Sequence, residues 1–159
     1  MTSVEPSTPA APSRPADPDD AAMYDAIAAE HAVIYGYGLV SAHSSPDVNP
    51  LVSDALAQHR ERREAAIALL AARSVAAPLP AVGYQLPIPV ANPTDAAKLA
   101  VRMEQDTAVA WRAVIEQATS TDERAFGVTA LTQSAVLAAK WKQVLRTWPV
   151  TVAFPGGSE

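Results

Sequence analysis

The chain has no cysteine among its 159 residues, which excludes disulfides, thiolate metal ligands and thiol nucleophiles together and suits a reducing compartment. Basic residues are also scarce. Twelve Lys and Arg stand against 17 Asp and Glu, for a net charge of -5 and a pI of about 5.1, so the dense basic stripe that displaces counterions from a phosphate backbone is missing. No nucleic-acid partner is expected. No stretch approaches the roughly 18 apolar residues of a membrane span. The opening Met1-Thr2-Ser3-Val4-Glu5-Pro6 lacks a basic segment followed by an apolar run. The expectation is a soluble, unprocessed, cytoplasmic protein with no membrane contact. Neither a Gly-x-Ser-x-Gly turn nor a histidine with an orienting acid accompanies any serine, so hydrolase chemistry has no support.

What the chain does have is a 49% hydrophobic content, enough for one continuous core, and prolines placed as punctuation. Residues 1–16 are mostly Pro, Ala, Ser and Thr, a composition expected to remain a disordered tail. Asp17-Pro18-Asp19-Asp20 combines a capping acid, a proline suited to the first helical position and acids at the positive dipole end; it predicts a helix to about His43. Asn49-Pro50 repeats the device for a second helix to about Arg73, and Asn92-Pro93-Thr94-Asp95 for a third to about Thr119. Ser120 with Glu123 forms a capping box that opens a fourth helix, closed by Pro149 after Trp148. The class is all-α: a four-helix bundle over 17–149, with 150–159 as an extended C-terminal tail. Short links make two antiparallel hairpins. Ser74 to Ala91, with Pro78, Pro80, Pro87 and Pro89, is long enough at about 3.1 Å per residue to cross the bundle and make helices 2 and 3 parallel. Alternating Tyr84, Leu86, Ile88 and Val90 would pin this crossover to the bundle's side.

The inward stripes carry polar residues near their middles. Helix 1 reads Met23, Ile27, Glu30, Ile34, Tyr37; helix 2 reads Val52, Leu56, His59, Arg63, Ala66, Leu70; helix 3 reads Val101, Glu104, Ala108, Trp111, Ile115. Helix 4 reads Leu131, Ser134, Ala138, Trp141, Leu145 and offers neither acid nor histidine. Glu30, His59, Arg63 and Glu104 are therefore expected to form a buried polar network. A guanidinium can hydrogen-bond both acids, so Arg63→Ala should cost roughly 3 to 5 kcal/mol. The alternative is a reduced metal site of Glu30, His59 and Glu104 holding Fe, Mn or Zn.

Through its two hairpins, its long crossover, Glu30, Tyr37 and Glu104, the chain resembles the ferritin and rubrerythrin superfamily. More narrowly, Glu30-His31, Tyr35-Gly36-Tyr37-Gly38, His59-Arg60-Glu61-Arg62-Arg63 and Tyr84-Gln85-Leu86-Pro87 resemble an alanine-rich ferritin-like domain family of high-GC bacteria with unassigned function. The superfamily resemblance implies a di-metal centre with a glutamate from each of two helices and a Glu-x-x-His pair from each of the others. This chain departs from that pattern: Leu56 stands where the helix 2 glutamate belongs, and helix 4 lacks both partners. The di-iron site is read as degenerate. The expected role is a catalytically inert binding or interaction module for a small ligand or protein; the alternative is a metal-binding oxidoreductase or metal-storage protein.

Other features have plainer readings. His31 points about 100° away from Glu30 around the helix and belongs to a helix interface, while His43 suits the negative end of helix 1. Gly36 and Gly38 each cost roughly 1 kcal/mol in a helix, which close packing by another element would explain. Tyr37, Trp111 and Trp141 are near one another by register and could line a small pocket. Trp148, Val150, Val152 and Phe154 alternate as an apolar strip expected to bury one face on its own bundle or in a homodimer.

Overall fold

A computed structural model describes residues 10–157. Four α-helices of similar length form the bundle: α1 Pro18–His43, α2 Asn49–Ala72, α3 Pro93–Gln117 and α4 Thr121–Leu145. No strand occurs among the described residues, and none of these helices is long and apolar enough to cross a membrane.

The capping chemistry works at three of the four starts. Asp17 accepts from the backbone N–H of Asp19 and Asp20, Asn92 from Asp95 and Ser120 from Glu123, each satisfying amides that the first turn leaves free. Asn49 does not cap. A 3-10 turn over Pro46–Val48 feeds directly into α2, Asn49 is itself helical, and the preceding Val48 provides no side-chain cap. The last helix ends before Pro149: Arg146 turns left-handed (φ 54°), and Arg146 and Thr147 N–H return to the Gln143 and Lys142 carbonyls. That closure satisfies the final carbonyls without needing the proline.

Side-chain pairing fixes the directions. Glu30 meets Trp111 and Tyr37 meets Glu104, so α1 and α3 run antiparallel. With α1 and α2 joined by a short link, α2 and α3 are parallel, and the crossover from 73 to 92 spans the bundle's length. Tyr84, Leu86, Ile88 and Val90 are partly buried while the residues between them are exposed, and Leu86, Ile88 and Val90 pack on the core. His31 ties the same segment down: its Nε2 donates to the Pro78 carbonyl at 3.1 Å. At Gly36 an added Cβ would run into the Met103 sulfur, whereas Gly38 faces open space. Close packing therefore explains the first glycine and not the second.

The core divides into two apolar clusters. One holds Tyr37, Val40, Leu99 and Trp141, the other Met23, Ile27, Leu70 and Trp111, and the polar centre lies between them. The helices do not pack evenly. The closest interfaces are α3 with α4 and α1 with α3, whereas α2 barely touches α4.

The expected tail begins earlier than the structure does, and residues 1–9 lie outside the described residues. Residues 10–16 lie along α1, where the Tyr24 hydroxyl donates to the Pro12 carbonyl at 2.8 Å and Arg14 forks onto Asp25. Composition cannot register such partners, because they are supplied by the neighbouring helix.

Candidate functional site

Glu30 from α1, His59 from α2 and Glu104 from α3 meet at mid-bundle with no solvent exposure. The imidazole is the hub. Its Nδ1 lies 2.7 Å from Glu30 Oε2 and its Nε2 lies 2.9 Å from Glu104 Oε1. Carboxylate oxygens only accept, so both ring nitrogens must donate, and His59 is an imidazolium. Burial alone would discharge it, but the facing Glu104 and Glu30 outweigh burial and raise its pKa to about 9.

The remaining partners complete a chain of donors. Burial would push Glu30 up, yet bonds and charge from His59, Arg62 and Trp111 hold its carboxyl below the usual range. Trp111 Nε1 donates to Glu30 Oε1 at 2.7 Å. Tyr37 donates to Glu104 Oε1 at 2.5 Å, and Trp141 Nε1 donates to the Tyr37 oxygen at 2.9 Å. The Tyr37 phenol is driven well above its ordinary value, first by burial and then by Glu104. One oxygen is left out. Glu104 Oε2 is buried without a partner among the described residues, a situation that costs about 1 to 3 kcal/mol or more for a charged group.

The arginine of this network is Arg62, not Arg63. Arg62 Nη1 donates to Glu30 Oε1 at 3.0 Å and to Ser134 Oγ at 2.9 Å, and its Nε reaches Gln133 Oε1 at 3.3 Å. Arg63 points outward and pairs with Glu64. On a helical wheel Arg62 lies roughly 60° to one side of His59 and Arg63 roughly 40° to the other, so stripe geometry alone favours Arg63. What decides is the space. The flank of α2 that carries Arg62 faces α4, where the helices stand apart, and a long side chain can enter there to reach Ser134 and Gln133. Ala55 rather than Leu56 lines the buried face one turn earlier, which is the same shift of phase.

The aromatic residues expected around a pocket serve as network donors instead. Tyr37, Trp111 and Trp141 are fully buried, the first and last with ring centroids 6.3 Å apart. A cavity of about 530 Å³ opens elsewhere, between α3, α4 and residues 150–156, with Glu104 among its lining residues and no aromatic in its wall. The C-terminal strip contributes Val150, Thr151 and Val152 to that wall, but Trp148, Val152 and Phe154 are exposed and only Val150 is partly buried. The strip therefore does not bury a whole face on its own bundle.

The superfamily resemblance implies a di-metal centre, which these donors do not suit. An imidazolium offers no lone pair, both Glu30 oxygens already accept hydrogen bonds, and α4 presents Ser134 at this level. The guanidinium of Arg62 adds a fixed positive charge within the same cage. This set of residues does not fit two metal ions. Among the described residues, no three acids or histidines are disposed as a metal-binding group.

A second charged cluster lies at the C-terminal end of α2. Arg73 pairs with Asp20 at 2.5 Å, with Asp19 at 3.4 Å and with Glu123. Asp19 also accepts from the Thr119 N–H and hydroxyl at 2.9 and 2.6 Å. The cluster ties the start of α1 to the end of α2 and to the α3–α4 turn. Burial opposes ionisation of Asp19, but the Thr119 bonds and Arg73 keep its carboxyl below the ordinary range.

No curated protein matches the sequence. A crystal structure of a conserved hypothetical protein, rv2844, from Mycobacterium tuberculosis is similar: it is 58% identical, the match covers 82% of this chain and 98% of that one, and the TM-score is 0.80. The profile of a domain of unknown function, DUF4439, matches residues 22–159. With most of its length, the candidate site included, inside that match, the chain belongs to the DUF4439 family.

Proposed function

We propose that this chain is a ferritin-like bundle whose centre is a metal-free charge network and whose role is binding rather than redox catalysis or metal storage. The observation that carries the reading is the engagement of both His59 nitrogens by carboxylates, at 2.7 and 2.9 Å. Two carboxylates, one imidazolium and one guanidinium cancel formally, and the bonds among them are charge-assisted. Inserting a divalent cation would require His59 to lose a proton and turn, and would place new charge beside Arg62. The two hairpins, the crossover and the acids at matching levels of α1 and α3 support the ferritin-like assignment.

The test is metal content. Protein purified without chelator should contain far less than one Fe, Mn or Zn per chain, and adding each ion should leave the melting temperature unchanged. Stoichiometric metal that disappears in Glu30→Gln and His59→Gln variants would instead establish the reduced site of Glu30, His59 and Glu104.

A further inference from the structure

We propose that the groove between α3, α4 and residues 150–156 binds a small molecule with an apolar body and a neutral hydrogen-bond donor, a hydroxyl or N–H, that faces Glu104. The proposal rests on the binding-module reading above and gives that reading a place and a ligand chemistry. Three observations converge. The groove measures about 530 Å³, within the range of small-molecule sites, and its walls are mainly apolar, formed by Ala108, Leu131, Ala135, Val136 and Val152. Glu104, fully buried, is among the lining residues, and its Oε2 is the carboxylate oxygen to which no described residue donates. Its Oε1, by contrast, accepts from both Tyr37 and His59. A buried carboxylate that lines the groove with one oxygen doubly engaged and the other idle is an acceptor for a donor that a ligand carries to the inner wall.

The third observation is the outer wall. Gly156 is left-handed (φ +76°), and a Cβ there would lie 2.6 Å from the Ala108 carbonyl oxygen. Glycine lets the C-terminal segment press onto α3, so that residues 150–156 close the side of the groove that the two helices leave open. The ligand's donor is neutral for two reasons. The charges of Glu30, Glu104, His59 and Arg62 already cancel, and Lys140 and Lys142 also line the groove, disfavouring a cation on its way in.

The probe is N-phenyl-1-naphthylamine, a neutral fluorophore with one N–H, titrated into the full chain. 1-Benzylnaphthalene, in which CH₂ replaces that N–H, serves as its competitor. One probe should bind per chain. The competitor should be weaker by roughly ten- to a hundredfold, the value of one hydrogen bond to a charged acceptor. Ala135→Trp, or Thr132→Trp if the first fails to fold, should weaken the amine by more than about tenfold by filling the groove. Absence of saturable binding, or unchanged binding in a folded tryptophan variant, would overturn the site. Equal affinity for the two probes would overturn the role of Glu104 Oε2. Metal analysis of the same preparation separates the two failures: metal at the centre sinks the proposed function, whereas a metal-free protein that ignores the probe sinks only the groove.

Discussion

The two charged clusters use similar groups in different surroundings. At mid-bundle, Glu30, His59 and Glu104 have no exposure and Arg62 almost none, and every charge is held by hydrogen bonds from at least two helices. At the bundle's end the Arg73 side chain is 28% exposed and Asp20 is half-buried, so water reaches part of the cluster, while Asp19 and Glu123 are buried. The comparison teaches that charge complementarity matters less for the energetics than access to water. A dry network cannot lose one member without stranding the rest, whereas in the half-wet clasp water takes up part of the loss.

The largest expected effect is therefore at Arg62. Arg62→Ala should destabilise by roughly 3 to 5 kcal/mol in urea unfolding, because Glu30 loses a buried cation. A loss below about 1 kcal/mol would erase the distinction between the clusters. Next is pH. The pKa of His59 is raised from 6.5 to about 9 in the folded chain, so its contribution is complete below about 6.5 and is lost as pH rises through 9. Glu30 is lowered from 4.5, so its contribution is present above that value and disappears as pH falls through the folded pKa. Stability from the centre should thus peak between about 4.5 and 6.5 and decline by a few kcal/mol toward pH 10. His59→Gln should abolish the alkaline decline.

Smaller effects should follow at the edge of the molecule. Arg73→Ala should cost about 1 to 2 kcal/mol, between the buried and exposed limits, and should loosen amide protection at the start of α1 before that of mid-bundle. Arg63→Ala, whose one partner among the described residues is the exposed Glu64, should cost less than about 1 kcal/mol. An Arg63 effect matching that of Arg62 would put the wrong arginine in the centre.

Much of this fold could be read from local chemistry. Asp17, Asn92 and Ser120 announce their helices because capping involves only residues a few positions apart, and the alternation from Tyr84 to Val90 marks the crossover segment that lies on the bundle. The levels of Glu30, His59 and Glu104 followed from helical period. The choice between Arg62 and Arg63 did not, because both flank the His59 direction and only the separation of α2 from α4 selects one. Leucine at 56 drew the stripe toward itself, although the smaller Ala55 is what the packed face accommodates. The groove was also out of reach, since it is formed by α3, α4 and a terminal segment held by Gly156, three parts that meet only in the folded chain.

The most direct measurement is the protonation state of His59, read by long-range proton–nitrogen correlation of its ring in labelled protein near pH 7.5. Both nitrogens should carry protons and stay that way until the pH approaches 9. A nitrogen with a free lone pair at neutral pH, or one coordinated to metal, would contradict the closed charge network on which the rest depends.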